Sequence, residues 1–293
     1  MEFITRGFKG SAVKYYPFFD NRICVTASAN YGLVGNGRLY SLIFDTKDSI
    51  YDLAWSESNE NQVAVACGDG SVKLFDTAIH EPFPVANYHE HGREVFAWNP
   101  NRTSSVLTLP THSCTYSAAF SPHSPSIISS VSSDSHLRIF DLRTPSSASN
   151  HLVSLIPIHS SSPSAGSLGA IGSNRQVSPP TEALTHDWNK YREGVITTAG
   201  VDQAIRTFDL RNVGGGPVAV IRGHEYAVRK LVWSPHLSDT LLSASYDMSC
   251  RIWTDGTINA TMPRQIGRMD AHTEFVHGVD WCLFGEGWCA STA

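Results

Sequence analysis

The chain has 293 residues, of which 41% are hydrophobic and 17% are charged, and its formal net charge is -5. This composition supplies apolar side chains for a sizeable core and excludes wholesale disorder. The negative balance argues against a protein that wraps nucleic acid, because such affinity depends on clustered Lys and Arg. No apolar run reaches the ~20 residues of a membrane helix, and the N-terminus lacks a secretory signal pattern. We therefore expect a soluble intracellular protein with no membrane insertion and no nucleic-acid partner.

The first predicted strands surround a turn at Gly68 and Asp69. One short apolar strand ends at Trp55, a second covers 63–66, and a third follows the turn and ends at Phe75. Gly and Asp tolerate the turn, and the residues after it alternate with the two-residue period of a strand. This segment predicts a small antiparallel sheet.

The same phrase recurs three more times along the chain. An Asp precedes an aromatic residue by six positions in every copy; the pairs are Asp69 and Phe75, Asp134 and Phe140, Asp202 and Phe208, and Asp247 and Trp253. A basic residue stands two positions before each aromatic, namely Lys73, Arg138, Arg206 and Arg251. Short strands at regular spacing, with turn signals between them and no convincing helix, predict an all-β repeat protein.

Three segments depart from this rhythm. Between Glu94 and Trp98 an opening strand joins what reads as a closing one, so the middle of a repeat is missing there. The segment 144–180 is rich in Ser and Pro and has no Asp or Glu, which predicts a mobile insert between two repeats. A last unit opens before Trp281 but lacks the turn Asp and the final strand.

The repeat phrase resembles the WD-repeat family of β-propellers. The resemblance implies an all-β, WD-repeat β-propeller of the seven-bladed family, formed by one domain over 1–293, with about six units' worth of sequence. Ring closure then depends on how the two short units fit. In that family an early His bonds to the turn Asp, which implies pairs of His224 with Asp247 and of His112 with Asp134.

A more specific resemblance covers nearly the whole chain. The phrases that carry it are 7–22, 29–38, 51–57, 90–96, 121–123, 199–202, 231–236, 243–253 and 274–281. They resemble the receptors of the type 2 peroxisomal targeting signal, the peroxin-7 family. The resemblance implies a cargo receptor that catalyses no reaction and needs no cofactor. It would bind the N-terminal signal of matrix enzymes in the cytoplasm. It would then cycle to the peroxisome with a co-receptor and the docking peroxins.

The residues before each innermost strand indicate what the mouth of such a ring could bind. Counting back six to eight positions from the aromatic that ends each strand finds Asp48, Glu182, Glu225 and Glu274, and Glu94 has the same place in the shortened unit. Apolar side chains nearby are Tyr51, Phe96, Tyr116, Leu184, Tyr226 and Phe275. Carboxylates and aromatics around one rim predict a site for a cationic, amphipathic peptide. Asp48 and Glu94 are the strongest candidates for its basic residue, and no catalytic or metal site is expected.

Two alternatives stay open at this point. A general WD-repeat interaction scaffold, for example a substrate adaptor in ubiquitin ligation, would use the same fold without this ligand. The shortened units also allow a truncated form of the receptor that does not function.

Overall fold

The computed structural model describes residues 4–5, 7–29, 36–40, 44–79, 83–90, 94–145, 151–158 and 181–293. These residues form 24 β-strands, which confirms the all-β prediction. Within these ranges no helix is long and apolar enough to cross a membrane. Residues 30–35, within the family-like phrase 29–38, lie outside the described residues.

Twenty of the strands form five four-stranded antiparallel sheets, which are the blades. Blade 1 contains β1 (Lys9–Tyr15), β2 (Ile23–Ser28), β3 (Gly37–Tyr40) and β4 (Phe44–Thr46). Blade 2 contains β5 (Ile50–Trp55), β6 (Gln62–Cys67), β7 (Val72–Asp76) and β8 (Ala86–Tyr88). Blade 3 contains β11 (Thr115–Ser121), β12 (Ser124–Ser132), β13 (His136–Asp141) and β14 (Leu152–Pro157). Blade 4 contains β15 (Ala183–Trp188), β16 (Val195–Gly200), β17 (Ile205–Asp209) and β18 (Ala219–Ile221). Blade 5 contains β19 (Val228–Trp233), β20 (Thr240–Ser245), β21 (Cys250–Thr254) and β22 (Gln265–Met269).

Two further units are hairpins. Hairpin A pairs β9 (Val95–Ala97) with β10 (Leu107–Leu109), between blades 2 and 3 in the chain, and hairpin B pairs β23 (Gly278–Trp281) with β24 (Cys289–Thr292). Both lie where the sequence predicts an incomplete repeat. The described residues therefore form five complete blades and two half units. They confirm an all-β propeller but not seven complete blades.

One boundary in the sequence prediction needs correction. Strand β14 lies inside the segment 144–180 and pairs with β13 as the outer strand of blade 3. Its alternating half-buried and exposed pattern is that of an edge strand with one covered face. The insert is therefore shorter than predicted, and 146–150 and 159–180 lie outside the described residues.

Apolar faces of neighbouring blades form the core. Between blades 1 and 2 the buried cluster includes Leu39, Phe44, Leu53 and Phe75. Hairpin A packs Val95 and Leu109 against Ile128 and Phe140 of blade 3. Between blades 4 and 5 the cluster includes Ile205, Leu231, Trp233 and Trp253. Strand alternation places these residues on the covered faces, so each blade is stabilised mainly by its neighbours.

The repeat phrase forms a hydrogen-bonded network in blade 5. His224 Nδ1 lies 2.8 Å from Asp247 Oδ2 and His224 Nε2 lies 2.6 Å from Ser243 Oγ. Trp253 Nε1 donates to the same hydroxyl at 2.8 Å. The expected pairing of His224 with Asp247 is confirmed.

The predicted pairing of His112 with Asp134 in blade 3 is wrong. Ser113 Oγ, rather than His112, donates to Asp134 at 3.0 Å. His112 has a left-handed backbone with φ of 58° and an exposed side chain, so the next residue reaches the turn instead.

The two ends of the described chain meet and close the ring. Strands β23 and β24 both contact β1. The Gly10 N–H donates to the Ala293 carbonyl at 3.0 Å, and the Tyr15 N–H donates to Asp280 Oδ2 at 2.8 Å. A hairpin of two strands is thus sufficient to join blade 5 to blade 1 along the inner strands.

Candidate functional site

The innermost strands all begin at the same end of the ring, which we call the mouth. In each complete blade the first pair of strands has a β-bulge at an equivalent position. The bulged residues are Ser11, Tyr51, Tyr116, Leu184 and Arg229, each four positions before an aromatic residue near the end of its strand. Glu94 and His277 have the same spacing from Trp98 and Trp281 in the two hairpins. Because a bulge redirects a side chain, we use the five bulged positions and these two equivalent positions to define the mouth.

Contacts between units involve four of the sequence-predicted residues: Tyr116, Glu182, Glu274 and Phe275. Tyr116 Oη of blade 3 donates to Glu182 Oε2, just before blade 4, at 3.0 Å. Lys9 Nζ of blade 1 forms an ion pair with Glu274 Oε1, just before hairpin B, at 3.0 Å. Phe275 packs its ring against Tyr246, with centroids 5.1 Å apart. The mouth is therefore continuous across the closing point of the ring.

The predicted apolar residues differ in exposure. Tyr51 is 48% exposed, Tyr226 60% and Phe275 48%, so all three present aromatic surface to solvent. Phe96 is half-buried and lines the central cavity. Leu184 is only 9% exposed because blade 4 packs around it, so its side chain offers little surface to a ligand.

The predicted carboxylates are in different electrostatic situations. Glu182 accepts the Tyr116 hydroxyl, and Glu274 is paired with Lys9. Glu225 is exposed, and only its backbone N–H is bound, to Asp247. Glu94 lines the central cavity. The Asp48 carboxylate, like that of Glu225, has no hydrogen-bond or ion-pair partner in the described ranges, so both acids are available to a ligand.

Three mouth residues were missed by the sequence prediction: Ser11, Arg229 and His277. Counting back four positions from each strand-ending aromatic, instead of six to eight, would have found them. Arg229 and Lys9 bring positive charge to a mouth that the sequence predicts to be acidic. Burial, followed by the Arg229 charge, lowers the pKa of His277 to about 4, so this imidazole is neutral at pH 7.

Comparisons with known proteins agree with this architecture. The family model for "WD domain, G-beta repeat" matches residues 38–76, 103–141 and 215–254. The chain is 36% identical to a "Peroxisomal targeting signal 2 receptor" from Saccharomyces cerevisiae, covering 100% of this chain and 96% of that protein. The chain belongs to the peroxisomal targeting signal 2 receptor family.

Plant and human members of the peroxisomal targeting signal 2 receptor family are similar over nearly the same extent. "Peroxisome biogenesis protein 7" of Arabidopsis thaliana is 34% identical, covering 97% of this chain and 92% of that protein. The "Peroxisomal targeting signal 2 receptor" of Homo sapiens is 32% identical, covering 94% of this chain and 86% of that protein. The alignment with the yeast receptor spans 386 positions, so part of that protein has no counterpart in these 293 residues.

The channel of this family member contains ion pairs. It encloses a cavity of about 680 Å³ that reaches from Glu94 and Tyr116 to Pro235 and Leu283. Lys230 Nζ of blade 5 lies 2.8 Å from Asp52 Oδ2 of blade 2. These blades are not neighbours in the ring, so the pair spans the channel.

A second channel pair accompanies the first, because Lys14 Nζ lies 3.1 Å from Asp280 Oδ1. Burial alone would raise the pKa of Asp52, but the charges of Lys230 and Lys14 lower it below its usual value. Asp52 therefore stays ionised and paired with Lys230. Among the described residues there is no group of three side chains suited to a metal ion.

The Tyr116 hydroxyl stays protonated over the whole physiological range. Burial, the hydrogen bond to Glu182 and the Glu182 charge raise the pKa of Tyr116 to about 12. This Tyr is therefore a fixed donor that holds Glu182 against the wall of the mouth.

His186, deep in the channel wall, should make folding stability depend on pH. Its Nε2 lies 2.7 Å from Ser129 Oγ, and burial lowers its pKa to about 4. The unfolded chain, with a His pKa of about 6.5, binds this proton first, so stability is complete above pH 6.5 and falls toward pH 4. Between pH 7 and 4.5 we expect a loss of about 2 kcal/mol from this residue. Urea unfolding at both values should show it, and H186Q should flatten the dependence; parallel curves would contradict it.

Proposed function

We propose that this chain is a cytosolic receptor whose mouth binds the N-terminal type 2 peroxisomal targeting signal of cargo enzymes. Together with a co-receptor and the docking peroxins, it would deliver the cargo for import and then cycle between cytosol and peroxisome. The family relationship supports the type of cargo, since the related proteins are named as receptors for this signal. It is a binding function without catalysis and without a cofactor.

The observation that carries the proposal is the combination of acids and exposed aromatics at one end of the ring. Asp48 precedes β5, which contains Tyr51 at its start, and Glu94 lines the central cavity just before β9. Tyr226 and Phe275 expose apolar surface on the opposite side. A cationic amphipathic helix could place its basic residue at the acids and its apolar stripe on the aromatics.

Charge reversal at the mouth tests the proposal. A fluorescent peptide with a type 2 signal should bind the purified chain, and a peptide with its basic residues reversed should not. D48R and E94R should each weaken signal binding by about a hundredfold, because a favourable charge contact becomes repulsive.

The matched control is E193R, which makes the same charge change in an exposed turn at the other end of the ring. It should leave the affinity unchanged, and all three variants should keep the wild-type melting curve. Normal signal binding by both mouth variants would overturn the proposed site. A folded wild-type chain that binds both peptides equally would favour the general scaffold.

A further inference from the structure

Arg229 differs from the other arginines in the described part of the chain. Each of the others is either exposed to solvent or paired with a carboxylate, whereas Arg229 is half-buried and has no hydrogen-bond or ion-pair partner in the described ranges. It is the bulged residue of β19, next to Lys230, which spans the channel. A half-buried guanidinium without a carboxylate is held at a cost in desolvation, which a ligand anion would offset.

The position of Arg229 in the ring determines which residues lie across the mouth from its charge. The seven mouth positions follow the order Ser11, Tyr51, Glu94, Tyr116, Leu184, Arg229 and His277. Three steps separate Arg229 from Glu94 one way and from Tyr51 the other, so Arg229 faces the side that holds Asp48 and Glu94. Arg229 therefore contributes a positive charge across the mouth from two of the predicted acids.

The neighbours of Arg229 leave its charge available. The Arg229 charge acts on both Tyr116 and His277, so the guanidinium lies near both side chains. Tyr116 is bound to Glu182, and Glu274 is bound to Lys9. The acids flanking this side are therefore held elsewhere or, like Glu225, are exposed.

We propose that Arg229 binds a carboxylate side chain of the bound peptide and so fixes the direction in which the peptide lies across the mouth. The inference rests on the proposed function. The basic residue of the peptide contacts Asp48 and Glu94, and an acidic residue further along contacts Arg229. A planar guanidinium suits this task because it can bind a carboxylate through two parallel hydrogen bonds.

A pair of peptides tests the inference. Both carry a type 2 signal; one has a Glu after the basic residue and the other has Gln in its place. The wild-type chain should bind the Glu peptide about tenfold more tightly. R229Q should remove this preference and leave binding of the Gln peptide unchanged. R222Q, an exposed arginine just before β19, is the control and should keep the preference.

A charge exchange separates recognition from a structural role. R229E should bind a peptide with Lys at the acidic position better than the Glu peptide, whereas a merely structural arginine would lower both affinities equally. Equal effects of R229Q on both peptides, or none, would overturn the inference while leaving the proposed function intact. A wild-type chain that binds neither peptide would overturn both.

Discussion

Replacing Asp247 with Ala should lower the free energy of unfolding by about 4 kcal/mol. The Asp247 side chain is 4% exposed, lies 2.8 Å from His224 Nδ1 and 3.0 Å from Arg251 Nη2, and accepts the Ser249 hydroxyl at 2.6 Å. Burial opposes its ionisation, but hydrogen bonds from Ser249 and His224 keep the pKa of Asp247 below its usual value. Without it, the Arg251 charge is left buried and unpaired.

Asp69 provides the matched control, because it has the same place in the repeat phrase of blade 2. Its side chain is 32% exposed and pairs with Lys73 at 2.7 Å. Water replaces such a contact readily, so D69A should cost about 1 kcal/mol. Urea unfolding of both variants measures the difference. Equal losses would mean that burial of the Asp is not what sets the strength of the network.

Replacing Asp280 with Ala should cost about 3 kcal/mol and should loosen the ring at its closing point. Asp280 Oδ2 accepts the Tyr15 N–H at 2.8 Å, and Oδ1 lies 3.1 Å from Lys14 Nζ. The carboxylate therefore connects hairpin B to blade 1 through a backbone and a side-chain contact. Its loss leaves the half-buried Lys14 ammonium and the Tyr15 N–H without this acceptor.

Asp187 makes the matched contact away from the closing point. Its Oδ2 accepts the Trp233 N–H at 2.8 Å, which connects blade 4 to blade 5. D187A and D280A should lose similar stability, but only D280A should speed amide exchange in both β1 and β23. If D280A does not speed amide hydrogen exchange in both β1 and β23, the ring is closed by packing and not by Asp280.

The repeat phrase made the fold predictable. Each repeat has an Asp at a fixed distance before an aromatic residue, in the turn two or three residues before the third strand of a complete blade; these residues are Asp69, Asp134, Asp202 and Asp247. The shortened unit at hairpin A was also predictable, because the chain between the start of β9 at Val95 and the start of blade 3 at Thr115 is too short for four strands. What sequence reasoning could not place was the strand β14, whose apolar residues are embedded in a Ser- and Pro-rich segment and signal an edge only weakly.

The site was predictable only in outline. Composition around the strand starts led to Asp48, Glu94 and Tyr51, but the residues that face inward depend on β-bulges. Each bulge lies four positions before the strand-ending aromatic, whereas the sequence prediction counted back six to eight positions, which is why Arg229 was missed. The pairing of Lys9 with Glu274 joins opposite ends of the chain and exists only because the ring closes.

The ion pair between Asp52 and Lys230 connects two blades that are not neighbours in the ring. In the described ranges, the main strand contacts between units join neighbours around the circumference, whereas this pair crosses the channel. A change of shape that moves blade 2 away from blade 5 has to break the pair. The ion pair therefore acts as a cross-brace that restrains the width of the channel.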